Sequence, residues 1–295
     1  MGDIPVFTRL EIAIRTKGGT IVAWELHRMF RASTPFTFTI QASRSGVGDW
    51  VTVSEVQDTC IAVDPNRWLY GVAPHLWYKV ILTDADGHTY ESIAKQMVSD
   101  FNQHDTALLR DMIRKENLRN MKYAGQHGYL LKRRRWGTLC TVCTDWDTEE
   151  VKNAKCPTCY GTGFVGGYFD PVHYWISPSS TGVQRRTTTQ PEGQGMIEDR
   201  IRQGRGVNCP WLDTEDLWVE SNSDRRFIVQ SVKEITLRDL PVIFDPIELR
   251  LAPATDAVYD VPLELTGSSS SAVADIYQGN PVIMKINRIR PCNCR

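Results

Sequence analysis

Eight cysteines punctuate this 295-residue chain, and four of them, Cys140, Cys143, Cys156 and Cys159, form two C-x2-C pairs twelve residues apart. Two residues between cysteines let one tight knuckle aim two sulfurs at a common point. Two knuckles complete a tetrahedron with metal–sulfur bonds of about 2.3 Å. The pattern predicts one structural zinc ion held by all four thiolates. Such a shell is closed and leaves no position for a reactive water. Iron accepts the same donors, and two disulfides or four plain buried thiols are the metal-free alternatives. A closed site contributes about 10 kcal/mol or more to folding its own segment. That matters because residues 136–170 are too few to build a core.

Other residues with chemical potential lie close by. Lys132, Arg133, Arg134 and Arg135 directly precede the zinc segment, and from 110 to 135 nine Lys or Arg stand against Asp111 and Glu116. One reading is contact with phosphate or with an acidic partner surface. The other is a solvated helix face with an interdomain hinge. Aromatic interleaving is limited to Tyr123, Tyr129 and Trp136, too thin for sequence-specific nucleic-acid recognition. Asp145, Asp147, Glu149 and Glu150 could chelate a hard cation, but a solvated loop is the expectation. Cys292 and Cys294 are expected to be inert terminal thiols rather than a redox pair. None of the six histidines stands in H-E-x-x-H, and the nucleophile-elbow, P-loop and dinucleotide motifs are absent. No enzymatic activity is expected.

The elements that must position these groups are mostly strands. The chain is 41% hydrophobic and 23% charged, enough for real cores, and its net charge of −1 does not favour a general polyanion-binding surface. No apolar run is long enough to cross a membrane and the start is not a signal peptide, so an intracellular protein with reduced thiols is expected. Residues 5–97 show five alternating runs, around Leu10–Ile14, Ile21–Leu26, Phe36–Ile40, Trp50–Val53 and Trp77–Leu82, with room for about two weaker strands. Residues 104–122 read as a helix with Leu108, Leu109, Met112, Ile113 and Met121 on one stripe, ended by Gly125 and Gly128. A strand is expected over 168–176, then an exposed polar arm over 178–206. Four β runs follow from Asp216 to Leu251, and a serine stretch at 267–271 precedes the tail. The implied units are a sandwich (1–97), a basic helical linker (98–135), a zinc segment (136–170) and a β-rich domain (171–295).

Three local patterns resemble known families. Trp24 early in the sandwich and Tyr78 in WYKVILTDADG are similar to the core Trp and Tyr of fibronectin type III domains, implying that fold without a disulfide. The second knuckle, Cys156-Pro157-Thr158-Cys159-Tyr160-Gly161-Thr162-Gly163, resembles the CxxCxGxG repeat of DnaJ-type zinc domains. The first half lacks those glycines, and the chain has no His-Pro-Asp motif to go with a chaperone role. Asp216, Leu217, Trp218, Arg226, Phe227, Val229 and Val232 resemble a hairpin of small β-barrel proteins in tailed-phage necks. That last resemblance implies a non-catalytic virion protein, made in the host cytoplasm. It would assemble as a ring with other copies of itself beside a portal or adaptor, a tail terminator or fibres, with at most non-specific DNA contact and no membrane. A baseplate or tail-fibre attachment protein and a zinc-ribbon nucleic-acid binder are the alternatives. The fold class implied is mainly β: a fibronectin type III-like sandwich, a short helix, a zinc-binding insert and a small β-barrel-like domain.

Overall fold

Alternation in the N-terminal runs resolves into two antiparallel sheets. In the computed structural model, which describes residues 5–14, 20–64, 75–96, 103–145, 151–189, 196–223, 225–237 and 240–263, one sheet has the order β1 (Phe7–Ile14), β2 (Thr20–Leu26), β5 (Ile61–Asp64). The other runs β4 (Val51–Gln57), β3 (Thr37–Ser43), β6 (Trp77–Thr83), β7 (Thr89–Glu91), and β8 (Lys95–Gln96) also pairs with β6. Phe38 and Ile40 on β3 face inward with Tyr78, Val80 and Leu82 on β6, as period-two alternation requires. Trp24 is fully buried with its ring 4.9 Å from Phe38. Tyr78 Oη donates to the buried Asp64 carboxylate at 3.0 Å. The weaker strands are β5 and the pair β7–β8. Residues 92–94 separate these two, each of which pairs with β6, and Ser92 Oγ accepts the Val80 amide at 2.9 Å in place of a backbone carbonyl. Cys60 is buried among apolar groups, which pushes its thiol up to about 12 and leaves it unreactive at neutral pH.

The helix is α1 (Gln103–Arg119), continued by one π-helical turn, Asn120–Ala124. Its buried stripe differs from the expected one. Leu109 and Ile113 are buried, Met121 packs partly, but Leu108 and Met112 are about half exposed. The stripe continues instead through Asn117 and Asn120, which are buried polar residues. Asn117 Nδ2 donates to Asn208 Oδ1 at 2.9 Å, so the helix docks partly by hydrogen bonding and hydropathy misplaces its face. Gly125 ends the helix as expected: a Cβ there would lie 2.0 Å from the Asn120 carbonyl oxygen. Gly128 does not end it. It lies inside β9 (Gln126–Leu131), where a Cβ would meet Trp218 Nε1 at 2.6 Å. The expected helical linker thus stops near 124, and its last residues begin a barrel.

That barrel closes in the order β10 (Val172–Thr189), β11 (Met196–Gly206), β14 (Leu240–Leu251), β13 (Arg226–Leu237), β12 (Leu217–Glu220), β9. Closure leaves no edge within the ring of strands. Leu130, Tyr174, Trp218, Phe227, Val229, Phe244, Ile247 and Leu249 fill the interior. The outer face at Leu131, Leu217 and Val219 is covered by the segment after β14, which carries a 3-10 turn at Ala257–Asp260. Buried Arg226 caps that turn by donating to the carbonyls of Val258 and Val261.

Three expectations change here. The strand expected from 168 begins at Val172, and the described parts of the polar arm expected over 178–206, residues 178–189 and 196–206, continue β10 and β11 as a paired ribbon. The runs on either side of Asp245-Pro246 form one strand, β14. The acidic residues Asp147, Glu149 and Glu150, the serine stretch and Cys292 and Cys294 lie outside the described residues.

Candidate metal centre

The cysteine segment is an extension of the β9–β10 turn. Past Leu131 the two chains stay paired: the Phe169 amide donates to the Lys132 carbonyl, Arg134 to Gly167 and Cys140 to Gly163, all at 2.8–2.9 Å. Bridges at Arg133–Tyr168, Leu139–Phe164 and Thr144–Val151 carry this ribbon to the two knuckles. In the second knuckle the Tyr160 amide donates to the Cys156 carbonyl at 2.8 Å and Thr162 to Cys159 at 2.9 Å. Gly161 has φ +80, and a Cβ there would lie 2.8 Å from the Ala154 carbonyl oxygen. Only glycine fits that turn without strain.

All four thiols are at most 5% exposed. Their sulfurs lie within 4.8 Å of one another, with Cys143 and Cys159 3.1 Å apart and Cys140 and Cys156 3.8 Å apart. A disulfide would need about 2.05 Å, whereas tetrahedral thiolates at zinc bond lengths sit about 3.8 Å apart. The sulfurs therefore surround a point and are not bonded to each other, and all four are free thiols. Burial pushes the Cys156 thiol up, but amides of Thr158 and Cys159 and the neighbouring thiols outweigh it and hold Cys156 down to about 6. Amides of Gly161 and Gly163 likewise favour a thiolate at Cys159, although burial dominates there and its pKa is raised. Backbone donors aimed at sulfur, together with four converging thiols, fit a metal ion such as zinc.

The basic run takes a different role from the phosphate contact considered for it. Lys132 is 5% exposed, and its Nζ donates to Asp216 at 2.5 Å, Asp213 at 2.7 Å and the Trp211 carbonyl at 3.1 Å. The Arg133 amide donates to the other Asp216 oxygen at 3.0 Å, and its guanidinium pairs with Glu215. Arg134 makes a two-pronged pair with Asp58 of the sandwich at 3.0 and 2.8 Å. Arg135 donates to the Thr214 carbonyl at 2.8 Å. The acidic partner of the run is the chain's own 213–216 segment together with Asp58. Lys132 in particular has no face left for phosphate. Burial disfavours its charge, yet the two aspartates more than offset that and raise its pKa. Asp216 is raised, mainly by burial, while Lys132 and other cations hold Asp213 below the usual carboxylate range despite its burial.

The same stretch ties the modules together. Trp136 is buried with its ring 5.8 Å from Phe36, 5.7 Å from Phe38 and 5.0 Å from Phe169. Arg9 of β1 adds a link, lying 4.8 Å over the Trp211 ring and 3.4 Å from Asp213. Sandwich, metal segment and barrel therefore share one hydrophobic cluster.

Two further groupings carry potential ligand atoms, one local in the sequence as Asp84-Ala85-Asp86-Gly87-His88 and one made only by strand pairing. Asp84, Asp86 and His88 bring potential ligand atoms together in the β6–β7 turn, where Asp84 is occupied accepting the amides of Asp86 and His88 at 3.0 and 2.8 Å. His127 and His173 sit side by side on β9 and β10, Nε2 to Nδ1 at 2.8 Å. The period-two pattern of those strands was the available signal, but their pairing is long-range. Burial, with a smaller effect of His173, holds His127 down to about 4, and burial lowers His173 too. A histidine depressed in the folded state stabilises fully above its unfolded pKa and loses that contribution as pH falls. The half-buried pair should therefore cost the fold about 1–2 kcal/mol between pH 6.5 and 4. Denaturant titrations at pH 7 and 4.5 read this, and His127→Gln should shrink the difference. An unchanged difference would refute it.

Among the described residues no helix is long and apolar enough to cross a membrane. Comparison of the whole sequence with protein-family models and with curated proteins returns no match.

Proposed function

We propose that this chain is a non-catalytic structural protein of a tailed-phage particle, a ring component at the head–tail junction, with zinc as a permanent staple in the four-cysteine site. The observation that carries the reading is where the polar groups are directed. The thiols form a closed shell, and Lys132, Arg133, Arg134 and Arg135 bind carboxylates and carbonyls of their own chain. Those groups make one rigid joint between a sandwich and a barrel, as a part that transmits force within an assembly needs. The neck-type hairpin pattern in β12 and β13 supports the position in the particle. The inward-turned basic run weighs against the zinc-ribbon nucleic-acid reading. Electron microscopy and mass spectrometry of purified particles test it: copies in a ring at the neck are expected, and virions that lack the protein would overturn the proposal.

A further inference from the structure

The barrel has one feature that its own fold leaves unfinished. Past the last partner on β14, β10 and β11 continue as a two-stranded ribbon through five pairs, from Arg185–Arg200 to Thr189–Met196. At about 3.3 Å per residue this extends roughly 17 Å beyond the wall. The register slips between Pro178 and Val183, where β10 advances five residues while β11 advances two, from Gly204 to Arg202. A bulge of that kind bends a strand and re-aims the residues beyond it. Among the described residues, β9 pairs with β10 no further than Ile176, and β14 pairs with β11 no further than Ile201. Beyond those points each strand has its hairpin partner on one side and no described strand on the other.

An isolated two-stranded ribbon is marginal in water, and an open edge is a template for another strand. No proline interrupts these stretches, residues 183–189, Val-Gln-Arg-Arg-Thr-Thr-Thr, and 196–200, Met-Ile-Glu-Asp-Arg, and the first is rich in strand-forming threonine. The two edges carry unlike charge. β10 brings Arg185 and Arg186, whereas β11 brings Glu198 and Asp199 beside one Arg200. Like edges would repel and unlike edges attract, which favours head-to-tail contact over a two-fold one.

We propose that the free part of this hairpin is the contact between copies of the chain: the β10 edge of one copy pairs with the β11 edge of the next. This rests on the ring reading above and names its interface. Around a rotation axis along the hairpins, β10 and β11 alternate in direction, so every new contact is antiparallel. A closed ring has no rise per copy, which keeps Arg186 of one chain level with the region of Asp199 in its neighbour. The result is a continuous collar of strands with no edges, and each ribbon gains the third and fourth strands that it lacks alone.

Sedimentation velocity and mass photometry of the full chain test it with two charge-reversal variants. Arg185→Glu with Arg186→Glu makes both edges acidic, and Glu198→Lys with Asp199→Lys makes both basic. Each variant by itself should need on the order of 100-fold more protein to assemble than the wild type. Mixed in equal amounts they should reassemble at wild-type concentrations, because each now offers the edge that the other needs. Unchanged zinc content and circular dichroism establish that the body of each variant folds, and hydrogen exchange at 183–189 and 196–200 in the mixture reads whether the ribbon, in which Arg186 faces Asp199, survives the reversals. Hydrogen exchange of the wild type gives an independent reading: amides of 183–189 and 196–200 should gain protection only on assembly. Oligomers that persist in both variants, no rescue on mixing, or full protection in the dilute monomer would overturn the edge contact while leaving a ring intact. A wild type that stays monomeric at every concentration would instead overturn the ring reading.

Discussion

Cys156→Ser should unfold the segment between Arg133 and Tyr168 and lower the stability of the whole described body. The native protein should carry about one zinc per chain by elemental analysis, as a closed four-thiolate site requires. Few apolar groups surround the knuckles, and Val151 is the partly buried one that packs on the thiols. A bound metal should therefore supply most of what holds them, an amount of about 10 kcal/mol or more at neutral pH. The loss will not stay local. Trp136, at the base of the ribbon, packs on Phe169 and against Phe36 and Phe38 of the sandwich. Hydrogen exchange should show protection vanish first at the knuckle amides, such as Cys140 and Tyr160, and then weaken at the base. Chelation by a strong ligand should do the same to the wild type. A chain with no bound metal and undiminished protection at those amides would show that packing alone holds the thiols.

Lys132→Met should cost about 3–5 kcal/mol near pH 7, the range for breaking a buried ion pair by removing one partner. The substitution keeps the length and much of the volume of the side chain. It leaves Asp216 fully buried and Asp213 partly buried with their main cation gone. The remaining partners are the Arg133 and Asp213 amides on Asp216, and Trp211 Nε1 and Arg9 on Asp213. The pH dependence identifies the cause. Asp216 already sits above the ordinary carboxylate value because burial disfavours its charge, and loss of Lys132 raises it further. A group raised in the folded state stabilises below its unfolded pKa and loses that contribution as pH rises through the folded one. The deficit of the variant should therefore narrow as pH falls from 7 toward 4. Chemical denaturation across that window measures it. A deficit of the same size at every pH would mean that lost packing, and not a stranded charge, is responsible.

Much of the mainly-β fold class can be read from the residues, because strands announce themselves locally. Phe38 and Ile40, then Tyr78, Val80 and Leu82, alternate at period two whatever they pair with. The metal site is legible for the same reason: C-x2-C spacing and the glycines at 161 and 163 are properties of eight neighbouring residues, and the backbone amides that favour thiolates come with the turn. Groups that act within one knuckle or one strand are thus legible before any long-range contact is known. The remaining groups take their roles from contacts between distant segments. Lys132 looks like a surface cation until Asp213 and Asp216, more than eighty residues away, close over it. Gly128 looks like a helix stop until Trp218 and Val219 occupy the space of its missing Cβ. Asn117 is no member of the apolar stripe, yet Asn208 meets it and buries it, and His127 meets His173 through the pairing of β9 with β10. The polar arm becomes a ribbon because each half supplies the other's hydrogen bonds. In every case the deciding energy is a desolvation, a steric exclusion or a hydrogen bond between residues far apart in the chain, and no local pattern carries that term.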